Sequence, residues 1–451
     1  MLIRSRAGRV LTSAALTLLA ALAIGAPAHG AEKAIWGPTT LPDGSSAFSL
    51  YRVLGIDTLQ LTVNWSTVAR SRPESPTDPA DPAYRWPAQF DSAVRNADRY
   101  RIRLAFLVSQ TPAWANGGKA VQWAPSDPQA YADFLTAASR RYPSVRRWMI
   151  WGEPNRVDRF LPNRPGSDIG PRTYARLLDA AYAALKRQSP HNIVIGGMTW
   201  TGGAITPAIF IRGMLLASGG PPRLDWFGHN PFPFRFPDLR NTPVPGGYRD
   251  MSDIDTFGRE IDKLYRRPKD RPLPLWLSEF LVQSDRGSRV FATFVSRQQQ
   301  ARWLTAAYRI ADDQRWRVVG LGWLDLLDEP AVPQNALWGL LTYDLRPKPS
   351  FFAMQSAPSE RLRPVLRVAQ QTRRSTLAGR GLLVTVVPRI GGPIRLELRR
   401  AGPVLRRVIV RGRAGHSDRV RLLRRLAPSG RYTVSARSSR GATVDRVVVV
   451  R

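Results

Sequence analysis

The chain has 451 residues, a formal net charge of +33 at neutral pH, 43% hydrophobic residues and no cysteine. The length exceeds what one core usually fills and predicts two domains, while the missing cysteine excludes disulfides, thiolate metal sites and cysteine nucleophiles together. The charge points first to a polyanionic partner, so its distribution along the chain matters.

Arg4, Arg6 and Arg9 precede an apolar stretch from Val10 to Ile24, followed by small residues at Ala26-Pro27-Ala28 and Ala28-His29-Gly30-Ala31. This is the pattern of a secretory signal peptide over residues 1–30, and it predicts a secreted, extracellular protein. An uncleaved anchor is the competing reading, but the stretch is short for a spanning helix and no later segment reaches about 18 apolar residues. No membrane contact is expected once the signal is cleaved.

From about Ala34 to Gln355 one rhythm recurs: a short β-branched or aromatic run, a polar turn, then an amphipathic helical pattern. The runs predict strands at Ala34–Trp36, Thr58–Asn64, Arg103–Ser109, Val145–Trp151, Asn192–Thr199, Leu224–His229, Leu273–Glu279 and Val318–Asp325. Helices are predicted at Ala88–Tyr100, Pro128–Tyr142, Thr173–Gln188, Pro207–Ala217, Ile254–Tyr265 and Arg297–Asp312, several with Asp, Ser or Thr near the start. Eight strand–helix units predict an α/β fold, a (β/α)8 TIM barrel over residues 31–355, with its active site at the C-terminal ends of the strands. An open doubly wound sheet uses the same alternation, but no Gly-rich phosphate loop follows the first strand.

After Phe351-Phe352-Ala353-Met354 the pattern changes to short strands, with turns at Gly391-Gly392, Ala401-Gly402, Gly412 and Ser438-Ser439-Arg440-Gly441. This predicts a linker over 356–364 and a small all-β sandwich over 365–451. Leu426-Ala427-Pro428-Ser429-Gly430-Arg431-Tyr432 resembles the tyrosine corner of immunoglobulin-like and fibronectin-like domains. From Arg361 to Arg451 there are 23 arginines against Glu397, Asp418 and Asp445, so 20 of the 33 net positive charges lie there. They alternate with Val, Leu and Ile, as on a solvated strand face, rather than clustering on a helix for nucleic acid. Anionic cell-wall polymers or acidic glycans are the sharper partner this tail suggests, and no specific nucleic-acid partner is expected.

Two apolar runs each deliver a carboxylate to a turn. Val145, Trp148, Met149 and Ile150 lead into Trp151-Gly152-Glu153-Pro154-Asn155, and Leu273-Pro274-Leu275-Trp276-Leu277-Ser278 leads into Glu279-Phe280. A paired acid and carboxylate is what cleavage of a glycosidic bond requires. Trp-x-Glu-Pro-Asn on strand four with Ser-Glu-Phe on strand seven resembles the retaining glycoside hydrolases of clan A, nearest to families 39 and 5, over residues 34–355. The resemblance implies Glu153 as acid/base, Glu279 as nucleophile, a carbohydrate substrate and no cofactor. It further implies that Trp323 floors the sugar site and that Thr111-Pro112-Ala113-Trp114-Ala115 forms its strand-three loop. His229-Asn230-Pro231 resembles the clan's strand-six histidine region, although a structural histidine fits the sequence equally well.

Trp65, Trp114, Trp200 and Trp323 all fall where apolar runs end, as sugar-stacking rings do, while any single one is as readily core. Asn155 is read as orienting Glu153 or capping the next helix. Asp325, Asp328 and Glu329 are read as sugar-binding or as a solvated loop. Arg235, Arg240 and Arg249 are candidates for contact with an acidic sugar. Two positions depart from the clan: Gly152 stands where an Asn usually contacts the sugar 2-hydroxyl, and Gln60 stands in place of the strand-two arginine, which leaves Asn64 as a compensating group. The four histidines show no metal-ligand spacing, and no Gly-x-Ser-x-Gly elbow occurs.

Overall fold

The computed structural model describes residues 31–451 apart from 269–270, 314, 316, 331, 360–363, 370, 376, 378–380, 389–391, 414–415, 424–427 and 439–442. The signal peptide read at 1–30, part of the 356–364 linker and Leu426-Ala427 of the tyrosine motif lie outside the described residues.

Eight parallel strands close into a barrel. They are β1 (Glu32–Trp36), β2 (Thr58–Asn64), β3 (Arg103–Ser109), β4 (Arg147–Ile150), β5 (Ile193–Trp200), β6 (Trp226–Asn230), β7 (Leu275–Phe280) and β10 (Val318–Trp323), with β8 (Gln283–Ser284) and β9 (Phe294–Val295) pairing in the loop after β7. The connecting helices are α1 (Phe48–Leu54), α2 (Trp65–Val68), α3 (Ala88–Tyr100), α4 (Pro128–Arg141), α5 (Ile169–Gln188), α6 (Pro207–Gly213), α7 (Ile254–Leu264), α8 (Arg297–Asp312) and α9 (Pro349–Ser356). Two helix starts follow from their caps: Asp127 accepts from Gln129 N, and Ser296 and Gln299 form a capping box. The fourth strand is shorter than its apolar run because Trp151, at φ 61°, leaves the extended region.

Side chains alternate between two cores. Outward residues such as Leu59, Phe106, Trp148 and Leu277 pack under the helices, and inward ones such as Ala34, Ala105, Met149, Ile195 and Trp276 fill the barrel. Gly322 permits a close approach there. A Cβ at that position would lie 2.1 Å from Ser278 O and 2.4 Å from Gln60 Nε2.

The register shifts at three places, one of them between Val318 and Gly320 of β10, and the other two shape the mouth. Between β7 and β10 the register runs Leu277↔Leu321 and then Phe280↔Trp323, three steps on β7 against two on β10. The additional residue lets Glu279 turn to the mouth although Trp276 and Ser278 already face inward. Between β5 and β6, Gly196↔Phe227 is followed by Thr199↔His229, with Gly197 and Met198 at positive φ.

Beyond α9 two sheets enclose a second core of Leu366, Val384, Leu396, Leu398, Leu422, Val434 and Val448. One holds β11 (Val365–Val368), β13 (Leu382–Val387) and β16 (Asp418–Leu423); the other holds β12 (Gln371–Thr372), β18 (Thr443–Val450), β17 (Gly430–Arg437), β14 (Gly392–Arg400) and β15 (Val404–Gly412). All neighbouring pairs are antiparallel except β12–β18, so this is a β-sandwich. Tyr432 is buried, and its hydroxyl donates to Pro428 O at 2.8 Å.

Candidate active site

A cavity of about 760 Å³ opens at the C-terminal mouth of the barrel and takes in both glutamates, Glu153 after β4 and Glu279 on β7. Its size suits a ligand of a few sugar rings. The polypeptide after β4 is held in an uncommon shape. Trp151 and Glu153 both have positive φ, and their amides donate to Val108 O and Met198 O at 3.0 Å, which fixes the Glu153 backbone between β3 and β5. Such conformations cost of order 1 kcal/mol each and persist where neighbours over-determine them.

Asn230, at the end of β6, ties the two acids together. Its Nδ2 donates to Glu153 Oε1 at 3.2 Å, and its side chain also hydrogen-bonds Glu279. A shared donor holds the two carboxyl groups within about two hydrogen-bond lengths, roughly 6 Å. Burial pushes the Glu279 carboxyl up to about 8, and the neighbouring charge of Glu153 adds to the effect. Glu153 accepts from Arg156 Nη1 at 2.9 Å. The charges of Arg159 and Arg156 and the Asn230 hydrogen bond pull the Glu279 carboxyl down in part, but burial and Glu153 outweigh them.

Glu279 is braced from below. Gln60 Nε2 and Trp36 Nε1 donate to Ser278 O at 2.9 and 3.0 Å, and Gln60 Oε1 accepts from Trp276 Nε1 and Ser278 Oγ. Every polar group of Gln60 is spent inside the barrel, so it fixes the strand that carries Glu279 and reaches no sugar. At Gly152 the place of a side chain is taken by Leu107, whose Cδ2 would lie 3.2 Å from a Cβ.

The other residues singled out in the sequence divide. Asn64 and Trp200 line the cavity with the glutamates, and Asn230 contacts both acids. Trp65, Trp114 and Trp323 do not line it. Trp65 is fully buried among Trp114, Tyr131 and Phe134, and Trp114 donates to Ala69 O. Trp323 packs on Phe280 and donates to Trp338 O. The reason is parity: Asn64 and Leu324 face the mouth, so Trp65 and Trp323, one residue away, face the helices.

His229 is buried between Thr199 Oγ1 and Arg249 O, each 2.9 Å away, against the Phe257 ring, and burial brings it down to about 4. It is a neutral structural histidine that holds β6 behind Asn230. Asn155 is also structural. It donates to the carbonyls of Trp200, Gly202 and Ile205 and accepts from Trp200 N, which shapes the loop after β5.

Arg235, Arg240 and Arg249 pair with Asp253, Asp238 and Glu260 away from the cavity. Asp328 binds Lys348, Glu329 accepts from Ala336 N, and Asp325 sits beside Gly37 and Tyr51, raised to about 7 by burial. Sequence reasoning missed Trp36, Phe232, Phe291 and Trp338, which supply aromatic surface, and Arg156 and Arg159, which supply charge. Trp36 ends an apolar run and was reachable by the rule applied to the other tryptophans.

Three polar atoms at the site find no partner among the described residues: Asn64 Oδ1, Trp200 Nε1 and Asn230 Oδ1. Buried groups of this kind are costly unless a ligand satisfies them. Among the described residues no group of three or more His, Asp or Glu could hold a metal ion, and no helix is long and apolar enough to cross a membrane.

No protein-family profile matches the sequence, and no curated protein matches it significantly. Solved structures do match in fold. A family 39 glycoside hydrolase from the gut symbiont Bacteroides cellulosilyticus WH2 aligns with a TM-score of 0.56 at 16% identity, over 87% of this chain and 81% of the other. A glucosidase from Croceicoccus marinus aligns with a TM-score of 0.51 at 14% identity, over 94% and 98%. The barrel and the β-domain that follows it are thus an arrangement found among glycoside hydrolases.

Proposed function

We propose that the protein is a secreted retaining β-glycosidase acting on an oligosaccharide or polysaccharide. The observation that carries this is one amide, Asn230, touching two glutamates from β4 and β7 at the base of an aromatic-lined cavity. One amide reaching both acids suits the short separation of double displacement, about 5–5.5 Å, better than the wider inverting geometry of about 6.5–9.5 Å. Trp36, Trp200 and Trp338 offer faces for pyranose rings, and Asn64 and Asn230 offer oxygens for hydroxyls.

Glu279 attacks the anomeric carbon and forms a sugar ester while Glu153 protonates the departing oxygen. Glu153 then takes a proton from water, which breaks the ester and frees Glu279. The reacting form carries its proton on Glu153 and its charge on Glu279. The pair exchanges one proton and titrates as a unit.

Glu279→Ala should abolish hydrolysis of a panel of aryl β-glycosides and polysaccharides while circular dichroism and melting stay those of a folded protein. Hydrolysis at the parental rate would remove the nucleophile assignment. A second reading is favoured by Gln60 and Gly152, which supply none of the clan's usual contacts to the sugar 2-hydroxyl. It makes the barrel a glycan-binding protein and predicts saturable binding without turnover on the same panel.

Export rests on the leader pattern of residues 1–30. The sandwich, given an immunoglobulin-like kinship by Tyr432, is proposed to hold the enzyme on anionic wall polymers, because Arg395, Arg399, Arg407 and Arg437 line one hollow on its outer face.

A further inference from the structure

The cavity lining holds three acids, Glu153, Asp158 and Glu279, and two arginines, Arg156 and Arg159. Arg156 is spent within the protein. Its guanidinium bonds Glu153 at 2.9 Å and Asp158 at 3.0 and 2.7 Å and lies 4.8 Å over the Trp200 ring.

Arg159 differs. Its main chain is anchored, since its carbonyl accepts from Trp151 Nε1 at 3.0 Å and its amide donates to Arg156 O. Trp151 is itself buried edge-on against Phe160. Its guanidinium, by contrast, has no hydrogen-bond partner among the described residues and is exposed in the cavity. It is near enough for its charge to act on Glu279 and on Asp158. A rigid backbone thus presents an uncommitted five-donor cation at a sugar-sized cleft, within electrostatic range of the carboxyl group assigned to attack.

We infer that Arg159 reads an anionic substituent, a carboxylate or an ester sulfate, on the sugar bound next to the cleaved bond. This rests on the glycosidase reading of the cavity and narrows its substrate to acidic glycans. The planar fork of an arginine matches either anion with two parallel hydrogen bonds, and a partly enclosed site strengthens them. The arginines first suspected of this role, Arg235, Arg240 and Arg249, are all paired elsewhere.

The test uses the full chain and matched nitrophenyl β-glycosides: the glucuronide, the glucoside 6-sulfate and the neutral glucoside, with the galacto-configured set in parallel. Binding is measured by calorimetry on Glu279→Gln, and turnover on the parent. An anionic member should bind roughly tenfold tighter than its neutral match. That preference should vanish in the Arg159→Gln, Glu279→Gln double variant and persist, weakened, with Arg159→Lys. A glucuronide preference identifies a carboxylate reader, and a 6-sulfate preference a sulfate reader.

Equal binding of acidic and neutral members, or selectivity unchanged by Arg159→Gln, overturns the inference. Turnover of the neutral glycoside in that case leaves the hydrolase reading standing. Selective binding of an anionic member with no turnover of any substrate does the opposite, sparing Arg159 and sinking the hydrolase.

Discussion

Each end of the barrel buries a glutamate, and the two are treated in opposite ways. At the closed end Glu32 of β1 meets Arg147 and Arg103, which open β4 and β3, and Thr58, which opens β2. Burial alone would raise its carboxyl group, but the two guanidiniums outweigh it and hold Glu32 below the usual carboxylate range. Arg147 also lies 5.5 Å over Trp226, which stacks on Trp276, so the ion pair is continuous with the inner core. At the mouth Glu279 is half-buried, and burial together with the charge of Glu153 pushes it up to about 8. A buried acid met by cations staples strands, whereas one set beside another acid is held ready for chemistry.

The sharpest way to break this contrast is at the mouth. Glu153→Gln should lower turnover of a sugar with a poor leaving group by roughly 10²–10⁴-fold, the usual contribution of a general acid. A nitrophenyl leaving group needs no proton and should soften the loss in the first step, and added azide should then give a glycosyl azide. A uniform loss across leaving groups, with no azide product, would show that Glu153 is not the proton donor.

At the closed end the expected effect is on stability. Glu32→Gln leaves Arg147 buried beside a neutral amide and should cost about 3–5 kcal/mol, the usual result of breaking a buried pair. Turnover per folded molecule should not change. The pH signs are opposite at the two ends. Glu32, whose acidity is strengthened by folding, contributes stability above its unfolded value that is lost as pH falls through its folded one. Glu279, raised to about 8, favours folding below its unfolded value, and that contribution is lost as pH climbs toward 8. Glu279→Gln should therefore raise the melting temperature at pH 9 more than at pH 4, and Glu32→Gln should lower it less at pH 3 than at pH 7. Parallel pH curves for the two variants would dissolve the distinction between the ends.

Arg156→Gln tests how far that cation tunes the two acids. Arg156 lowers the Glu279 carboxyl, so without that cation the alkaline limb of kcat/KM should move up by about one pH unit. An unmoved limb with a raised KM would make Arg156 a substrate contact and nothing more.

What the sequence revealed follows from the same regularities. Thr58–Asn64, Arg103–Ser109, Ala88–Tyr100 and Arg297–Asp312 coincide with β2, β3, α3 and α8 because their periodicity is unbroken and their ends are marked by turns or caps. Glu153 and Glu279 were visible because an acid at the end of an apolar run is conspicuous. Parity was not visible. Trp65 and Trp323 fall one residue from Asn64 and Leu324, and a single step on a strand moves a side chain from the mouth to the helical layer.

The bulges that re-aim Glu279 and the chain after Gly196 have no sequence signature beyond small residues nearby. His229 and Asn155 were legible as polar residues at strand ends, but their partners, Arg249 O and the carbonyls of the loop after β5, come from main chain that only the closed barrel brings near. Long-range pairing of that kind lies beyond a reading of one chain segment at a time. Arg156 escaped notice for the opposite reason, since it lies three residues from its partner Glu153 in plain view.

The smallest expected effect lies in the sandwich, where charge is arranged differently from either end of the barrel. On its outer face Arg395 lies directly opposite Arg437 across the β14–β17 ladder, and Glu397 serves both Arg399 and Arg407. Like charges facing across strands destabilise a sheet by a few tenths of a kcal/mol to about 1 kcal/mol, so this face is not optimised for folding. Replacing Arg395 and Arg437 together by Gln should leave the melting temperature unchanged or raise it slightly. If the face holds an anionic polymer, the same change should weaken retention on acidic wall material by several-fold at low ionic strength, and the gap should close as salt rises. Removal of residues after about 360 should abolish the retention while hydrolysis of a small soluble glycoside continues. Retention that survives both changes, or that ignores salt, would leave the arginines as an ordinary solvated strand face and return the whole of substrate recognition to the barrel mouth.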